Sequence, residues 1–290
     1  MIARRLFFPA LLLAAAGIQS GGVEPAYAGA WLLAPGEGRA IVYSVFSESS
    51  QAFDFQGQLI YEPQYRKFEL GTYIEYGVTD WLTLAISPAY DRIHGHPFNP
   101  SLPSLKPPPG RSYNGGGESG AAARIRLFQN ENSILSFQAG LQTKGASLAG
   151  PLSPFELRRA PSLELRAAAG TSATIFGKES FLDAELAYRF YAKQPGEWRF
   201  DLTFGIRPIP GMLLMLQNFA SFTKAPPILP QWVLTNGLSK YDRSWSDKLQ
   251  PSIVFDITPQ WSIQAGSFFT VAGKNAGREF GPLIGVWYKF

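Results

Sequence analysis

The sequence contains no cysteine and only two histidines, and charged residues fill just 17% of its 290 positions. Each shortage removes a class of function. Without cysteine there are no disulfide staples, thiolate metal sites or cysteine nucleophiles. A serine nucleophile needs a histidine or equivalent base held beside it, and His94 and His96 both fall in a Pro/Gly-rich stretch read as loop. No segment after Ala28 carries the roughly 18 consecutive apolar residues of a membrane-spanning helix. Basic residues are scattered and not gathered into a stripe, so nucleic acid is not an expected partner. The glycine-rich "NGGGESG" at 114–120 lacks the Lys-Ser/Thr of a phosphate-cradling loop.

What the sequence has in quantity is aromatic residues, 14%, with 29 glycines and 23 prolines. That balance suits an all-β chain of many strands and turns. The N-terminus carries Arg4 and Arg5, an apolar stretch from Leu6 to Ile18, and Ala26-Tyr27-Ala28. This is the layout of a cleaved export signal, and the apolar run is too short for a transmembrane anchor. Cleavage after Ala28 divides the chain into a signal peptide, 1–28, and a mature domain, 29–290. The mature part keeps 24 basic and 21 acidic residues, a net charge of +3.

Along the mature chain the pattern that repeats has a period of two. In "KFELGTYIEY", Phe68, Leu70, Thr72, Ile74 and Tyr76 oppose Lys67, Glu69, Gly71 and Glu75. Successive strand residues point to opposite faces, so this segment has one oily side and one polar side. The split recurs with Leu82, Leu84, Ile86, Pro88 and Tyr90 against Thr83, Ser87 and Asp91, and with Ala123, Ile125 and Leu127 against Arg124 and Arg126. It returns with Leu135, Phe137, Ala139 and Leu141 against Ser136, Gln138, Gln142 and Lys144, and with Leu163, Leu165 and Ala167 against Glu164 and Arg166. Leu182, Leu186 and Phe190 then oppose Asp183, Glu185 and Arg189; Trp198, Phe200 and Phe204 oppose Arg199, Asp201 and Arg207. With a weaker strand at 39–48 and others at 212–223, 248–258, 261–272 and 280–290, twelve strands are expected.

Short connections ("VTD", "QNEN", "PIPG", "TPQ") alternate with long ones at 49–63, 93–117, 146–160 and 224–247. Two break the alternation: 171–178 is long for its side, and "KQPGE" at 193–197 is short. A secreted β-sandwich would also alternate. Regular ten-residue strands, however, suit a tilted bilayer crossing, and aromatic rings at strand ends (Tyr76, Trp81, Trp198, Trp261, Tyr288, Phe290) suit membrane interfaces. The fold expected is a closed antiparallel transmembrane β-barrel of about twelve strands, with both termini at the short-turn rim.

The last residues, "GVWYKF", put Phe280, Ile284, Val286, Tyr288 and Phe290 on one face. This ending resembles the C-terminal signature of Gram-negative outer-membrane barrels, and the resemblance implies that Tyr288 and Phe290 are read by the barrel-assembly machinery. Segments such as "YRKFELGTYIEYGVTDWLTL" and "DITPQWSIQAG" are similar to proteobacterial outer-membrane channels of the kind associated with aromatic-compound and phenol degradation. The resemblance implies a fold and a bacterial outer-membrane location, and does not name a solute.

The charges assigned to the interior are of both signs. Arg124, Arg126, Arg166, Arg189, Arg199 and Arg207, with Glu69, Glu75, Asp183, Glu185 and Asp201, are the candidates for setting selectivity. The expected activity is a passive channel for small solutes, with the 93–117 loop restricting its mouth. A non-conducting surface protein acting through its loops is the alternative. No catalytic residue and no cofactor are expected. His94-x-His96 with Asp91 nearby has the spacing of a two-histidine metal site, but equally that of a solvated loop, and no metal is assigned.

Overall fold

The computed structural model describes residues 29–95, 111–143, 161–192, 195–224 and 243–290. They form a single antiparallel sheet that curls until its first strand meets its last. Twelve strands make the wall. β1 is Gly38–Phe53 and β2 is Leu59–Thr79. β3 runs as Leu82–Ser87 and Ala89–Gly95, and β4 as Arg111–Gly116 and Gly120–Gln129. There follow β5 (Ser133–Gln142), β6 (Ser162–Ile175), β7 (Lys178–Tyr191) and β8 (Glu197–Ile209). β9 (Met212–Lys224), β10 (Arg243–Asp256), β11 (Trp261–Lys274) and β12 (Phe280–Lys289) complete it.

Each strand pairs with the next, and β12 pairs with β1 from Arg39↔Lys289 to Glu48↔Phe280. At the seam the Gly38 amide donates to the Phe290 carbonyl at 2.7 Å, and the Phe290 amide donates back at 2.9 Å. Closure satisfies a physical requirement: hydrocarbon offers no partner to a peptide group, so a sheet crosses it only when no edge is left open. The chain's final aromatic residue is therefore part of the closing ladder, and its ring lies over Gly38, where any side chain would collide with it.

The faces sort inside-out relative to a soluble protein. Leu84, Leu141, Leu186, Leu216, Ile263 and Ile284 are exposed on the outer surface, while Glu75, Asp91, Asp183 and Arg189 are each 2% exposed or less within the lumen. Aromatic residues gather at both rims. Trp261, Tyr288 and Phe290 stack at centroid distances of 4.5 and 5.7 Å near the short turns. Tyr188 meets Phe190 at 4.6 Å and Trp198 at 4.8 Å near the opposite rim. These are the interfacial belts expected of a membrane barrel.

The short-turn rim holds both chain ends of the barrel. Two of its turns share one device: the Thr79 hydroxyl accepts the Trp81 amide at 3.4 Å, and the Thr258 hydroxyl accepts the Trp261 amide at 3.0 Å. The expected long connection at 171–178 is instead a two-residue turn. Phe176 and Gly177 both have positive φ, 51° and 71°, the geometry that matches the twist of a hairpin and lets strands run to its edge. The loop expected at 49–63 is also shorter, because β1 and β2 extend beyond the membrane band. About ten residues suffice to cross, whereas β2 has 21. The Asp54 carboxylate closes that hairpin by accepting the amides of Gln56 and Gln58 at 2.7 and 2.8 Å. Strand likewise replaces loop at 93–95, 111–116 and 243–247. Residues 96–110 and 225–242 of the expected loops, the loop at 146–160, the expected signal segment 1–28 and Lys144 lie outside the described residues.

Candidate functional site

The closed sheet encloses a lumen, and the wall of that lumen is built by alternation. Register places Arg39 opposite Glu75 and Glu69 opposite Asp91 on the inner face. Glu75 is the hub of the β1–β5 side. One oxygen receives the Tyr73 hydroxyl at 2.7 Å and Arg124 at 3.0 Å, and the other pairs with Arg39. Arg124 also donates to the Gln138 side chain at 2.8 Å. Higher up, Lys67 bridges Glu69 at 2.6 Å and Asp91 at 3.2 Å, and the Tyr43 hydroxyl donates to Glu69 at 3.1 Å.

The β6–β8 side carries a second network. Glu164 is held by Arg166 at 2.9 Å and by Arg189 at 2.7 Å, with Arg199 at 3.6 Å. Arg166 also pairs with Glu185 and with Asp201, the latter at 2.7 Å. Arg189 reaches Glu118 at 2.6 Å. Pairing of this density is what charges removed from bulk water require. It is not complete withdrawal: the side chains of Arg199 and Lys67 keep 30% and 26% of their exposure, so solvent reaches the wall.

Of the residues the sequence marked, Glu69, Glu75, Arg124, Arg166, Asp183, Glu185, Arg189, Arg199 and Asp201 converge on these two networks or beside them. Arg126 and Arg207 do not. They stand at the short-turn rim, facing Asp80 at 3.7 Å and Asp256 at 3.1 Å. His94 lies on β3 and not in a loop; its ring contacts the Ser112 hydroxyl at 2.9 Å on the outward face, while Asp91 faces the lumen. The two are on opposite sides of one strand, and His96 lies outside the described residues. Among the described residues no group of three metal-ligating side chains occurs.

The β8–β12 side carries the Lys248–Glu279 ion pair at 2.8 Å and, between it and the short turns, a row of neutral side chains. Gln217 donates to Thr203 at 3.4 Å and Gln250 donates to Gln217 at 2.9 Å. Gln264 donates to the Ser252 hydroxyl at 3.0 Å and accepts the Trp287 indole N–H at 3.1 Å. Below this amide ladder, toward the short turns, Phe181, Leu213, Met215 and Val254 form an apolar cluster with Trp287 packed against it. Alternation could not reveal it, because "MLLML" is apolar on both faces.

The segment before β1 enters the lumen. Ala30 is 0% and Trp31 5% exposed, packed with Ile134 and Ala168 on the inner wall. The Arg124 guanidinium donates to the Trp31 carbonyl at 3.2 Å, and the Leu33 amide donates to the Thr83 hydroxyl at 3.2 Å. Gly77 makes this possible, since a side chain there would collide with the Ala34 and Leu33 carbonyls. The segment leaves through the short-turn rim, where the Gly36 amide donates to the Gly77 carbonyl at 2.9 Å. Alternation did not mark this luminal segment, nor Arg39, Tyr43, Tyr73 and Glu118. Arg39 and Tyr43 sit on the strand whose alternation is weakest. The one hint of the segment in the sequence was "AWLLA", an apolar stretch before the first strand with no strand partner of its own.

No protein-family model and no curated protein matches the sequence. Solved structures do. The COG4313 outer membrane channel from Pseudomonas putida F1 superposes with a TM-score of 0.60 at 15% identity, over 89% of this chain and 97% of that one. The chain has the fold of an outer-membrane channel barrel. The NanC porin superposes with a TM-score of 0.51 at 6% identity, over 86% of this chain and all of that one. At such identities the likeness concerns architecture, and the lumen must be read from this chain's own residues.

Proposed function

We propose that the protein is a passive channel for small solutes in a bacterial outer membrane, its short-turn rim in the periplasm. The observation that carries this reading is the hydrated charge inside a closed, lipid-facing wall. Arg199 and Lys67 remain solvated, which a purely structural interior would not need. The charged wall across from the amide ladder would orient polar solutes, and Arg166, Arg189 and Arg199 would set selectivity. Residues 30–34 and the apolar cluster below would narrow the path at its periplasmic end, so conductance is expected to be small. Tyr288 and Phe290, at the closing strand, are the residues we assign to recognition by the barrel-assembly machinery.

The resemblance to channels associated with aromatic-compound degradation supplies the first solutes to test. Liposomes carrying the barrel are expected to admit phenol and a small aromatic acid faster than a disaccharide. In planar bilayers the folded protein should give small steady current steps, and Trp31→Gly should enlarge them at least twofold. A correctly folded barrel that stays silent, with and without that substitution, would favour the non-conducting surface protein instead.

A further inference from the structure

Asp183 is 1% exposed, and among the described residues no side chain donates a hydrogen bond to its carboxylate, the backbone N–H of Ala30 being the donor beside it. An ionised carboxylate in that position is strongly unfavourable without a cation at hand. The neighbours make the need greater. Asp183 lies against the backbone of Ala30 and in the field of Glu185. Arg166 already serves Glu164, Glu185 and Asp201 together, and it engages Glu185 through Oε2. Arg189 and Arg199 point to Glu118, Glu164 and Glu197. Arg124 acts on Asp183 only through its field, its own contacts being Glu75, Tyr73, Gln138 and the Trp31 carbonyl. Three carboxylates thus share Arg166, one of them with help from Arg189 and Arg199, and Asp183 pairs with none of these guanidiniums.

The remaining oxygen of Glu185, Oε1, faces Gly29, closely enough that any side chain at position 29 would collide with it. On the other side, a Cβ added to Gly170 would meet Asp183 Oδ1 at 2.5 Å and the Trp31 indole nitrogen at 2.7 Å. Among the described residues the indole N–H has no acceptor, and a neutral donor offsets a buried charge less than a cation does. Gly29 is also the residue that follows the expected cleavage point.

We propose that hydrolysis of the Ala28–Gly29 peptide creates the missing cation. Water adds its oxygen to the Ala28 carbonyl carbon, the C–N bond breaks, and the freed Gly29 nitrogen takes up protons to become an α-ammonium, the ordinary form of an α-amine at neutral pH. That ammonium binds between Asp183 and Glu185 and anchors residues 30–34 inside the barrel. An uncleaved chain has a neutral amide at the same place, and residues 30–34 are then held only by the packing of Ala30 and Trp31 and the hydrogen bonds of Trp31 and Leu33. Processing by the export peptidase therefore adds an ionic anchor to the luminal segment, whether or not the barrel conducts.

The test uses the mature protein purified from membranes. Intact mass should place its first residue at Gly29. A short pulse with an acetylating reagent, read by peptide mass spectrometry, should label the Gly29 amine at least tenfold more slowly in the folded barrel than in the denatured chain. Asp183→Asn and Glu185→Gln, each still heat-modifiable on gels, should speed that labelling at least fivefold, because they remove the counter-charge and leave the packing of Ala30 and Trp31. A mature chain beginning elsewhere, or a folded wild-type amine as reactive as the denatured one, would overturn the proposal. Folded Asp183→Asn and Glu185→Gln proteins both as protected as wild type would also overturn it, by showing enclosure without ion pairing. Should neither variant fold, the mass and the wild-type protection ratio decide it.

Discussion

The charged side of the lumen, β1 to β8, and its other side, β8 to β12, are built from the same alternating strands and solve opposite problems. From β6 to β8 the inner face carries Glu164, Arg166, Asp183, Glu185, Arg189, Arg199 and Asp201, and its order comes from ion pairs. From β8 to β12 the mid-height inner face carries Thr203, Gln217, Gln250, Ser252 and Gln264, ordered by neutral hydrogen bonds. Charges held in a narrow space cannot lose a partner cheaply, because the survivor stays stranded. Amides can, since a neutral hydrogen bond contributes only about 0.5–1.5 kcal/mol net. The difference teaches where the barrel is brittle and where it is adaptable, and it places the field on one side of the path.

The largest effect is expected where one guanidinium joins most partners. Arg124→Ala strips Glu75, Tyr73, Gln138 and the Trp31 carbonyl of a donor. Breaking a buried pair in this way costs about 3–5 kcal/mol, to be read as a lower urea midpoint of barrels in lipid vesicles. Next comes a change on the reverse side of the same wall. Leu186→Arg leaves the ion pairs of Glu185 intact but sets a charge against hydrocarbon, which costs about 2–4 kcal/mol at mid-bilayer and should lower the amount of folded protein in the membrane. An effect near zero there would mean that lipid does not cover this face. The smallest belongs to the neutral row: Gln264→Ala leaves Trp287 and Ser252 each without one partner, for about 1–2 kcal/mol. If it matched Arg124→Ala, the contrast between the two sides would fail.

How much of this the sequence reveals depends on whether the two faces of a strand differ. Where they do, as from Lys67 to Tyr76 or from Leu182 to Phe190, residue type alone assigns lumen and lipid, and the strand count follows. Where they do not, it is silent. β9 begins "MLLML", and its inward Leu213 and Met215 look the same as its outward Leu214 and Leu216. Strand ends are also hidden, since pairing beyond the membrane needs no oily face; β1 and β2 therefore extend past the residues that alternation marks. The luminal course of residues 30–34 depends on contacts with strands 50 or more positions away, such as Leu33 with Thr83 and Trp31 with Arg124, and no local period encodes that. The charges were identifiable as inward, but their partners depend on strand register, which alternation leaves free by any even number of residues.

If the barrel conducts, the charged side of its lumen governs what passes. Reversal potential across a planar bilayer under a salt gradient tests it directly, using Arg199→Glu on the charged wall and Gln250→Ala on the amide wall. Current is expected from all three proteins, with a clear shift toward cation preference for Arg199→Glu and no shift for Gln250→Ala. Identical reversal potentials for wild type and Arg199→Glu would contradict it.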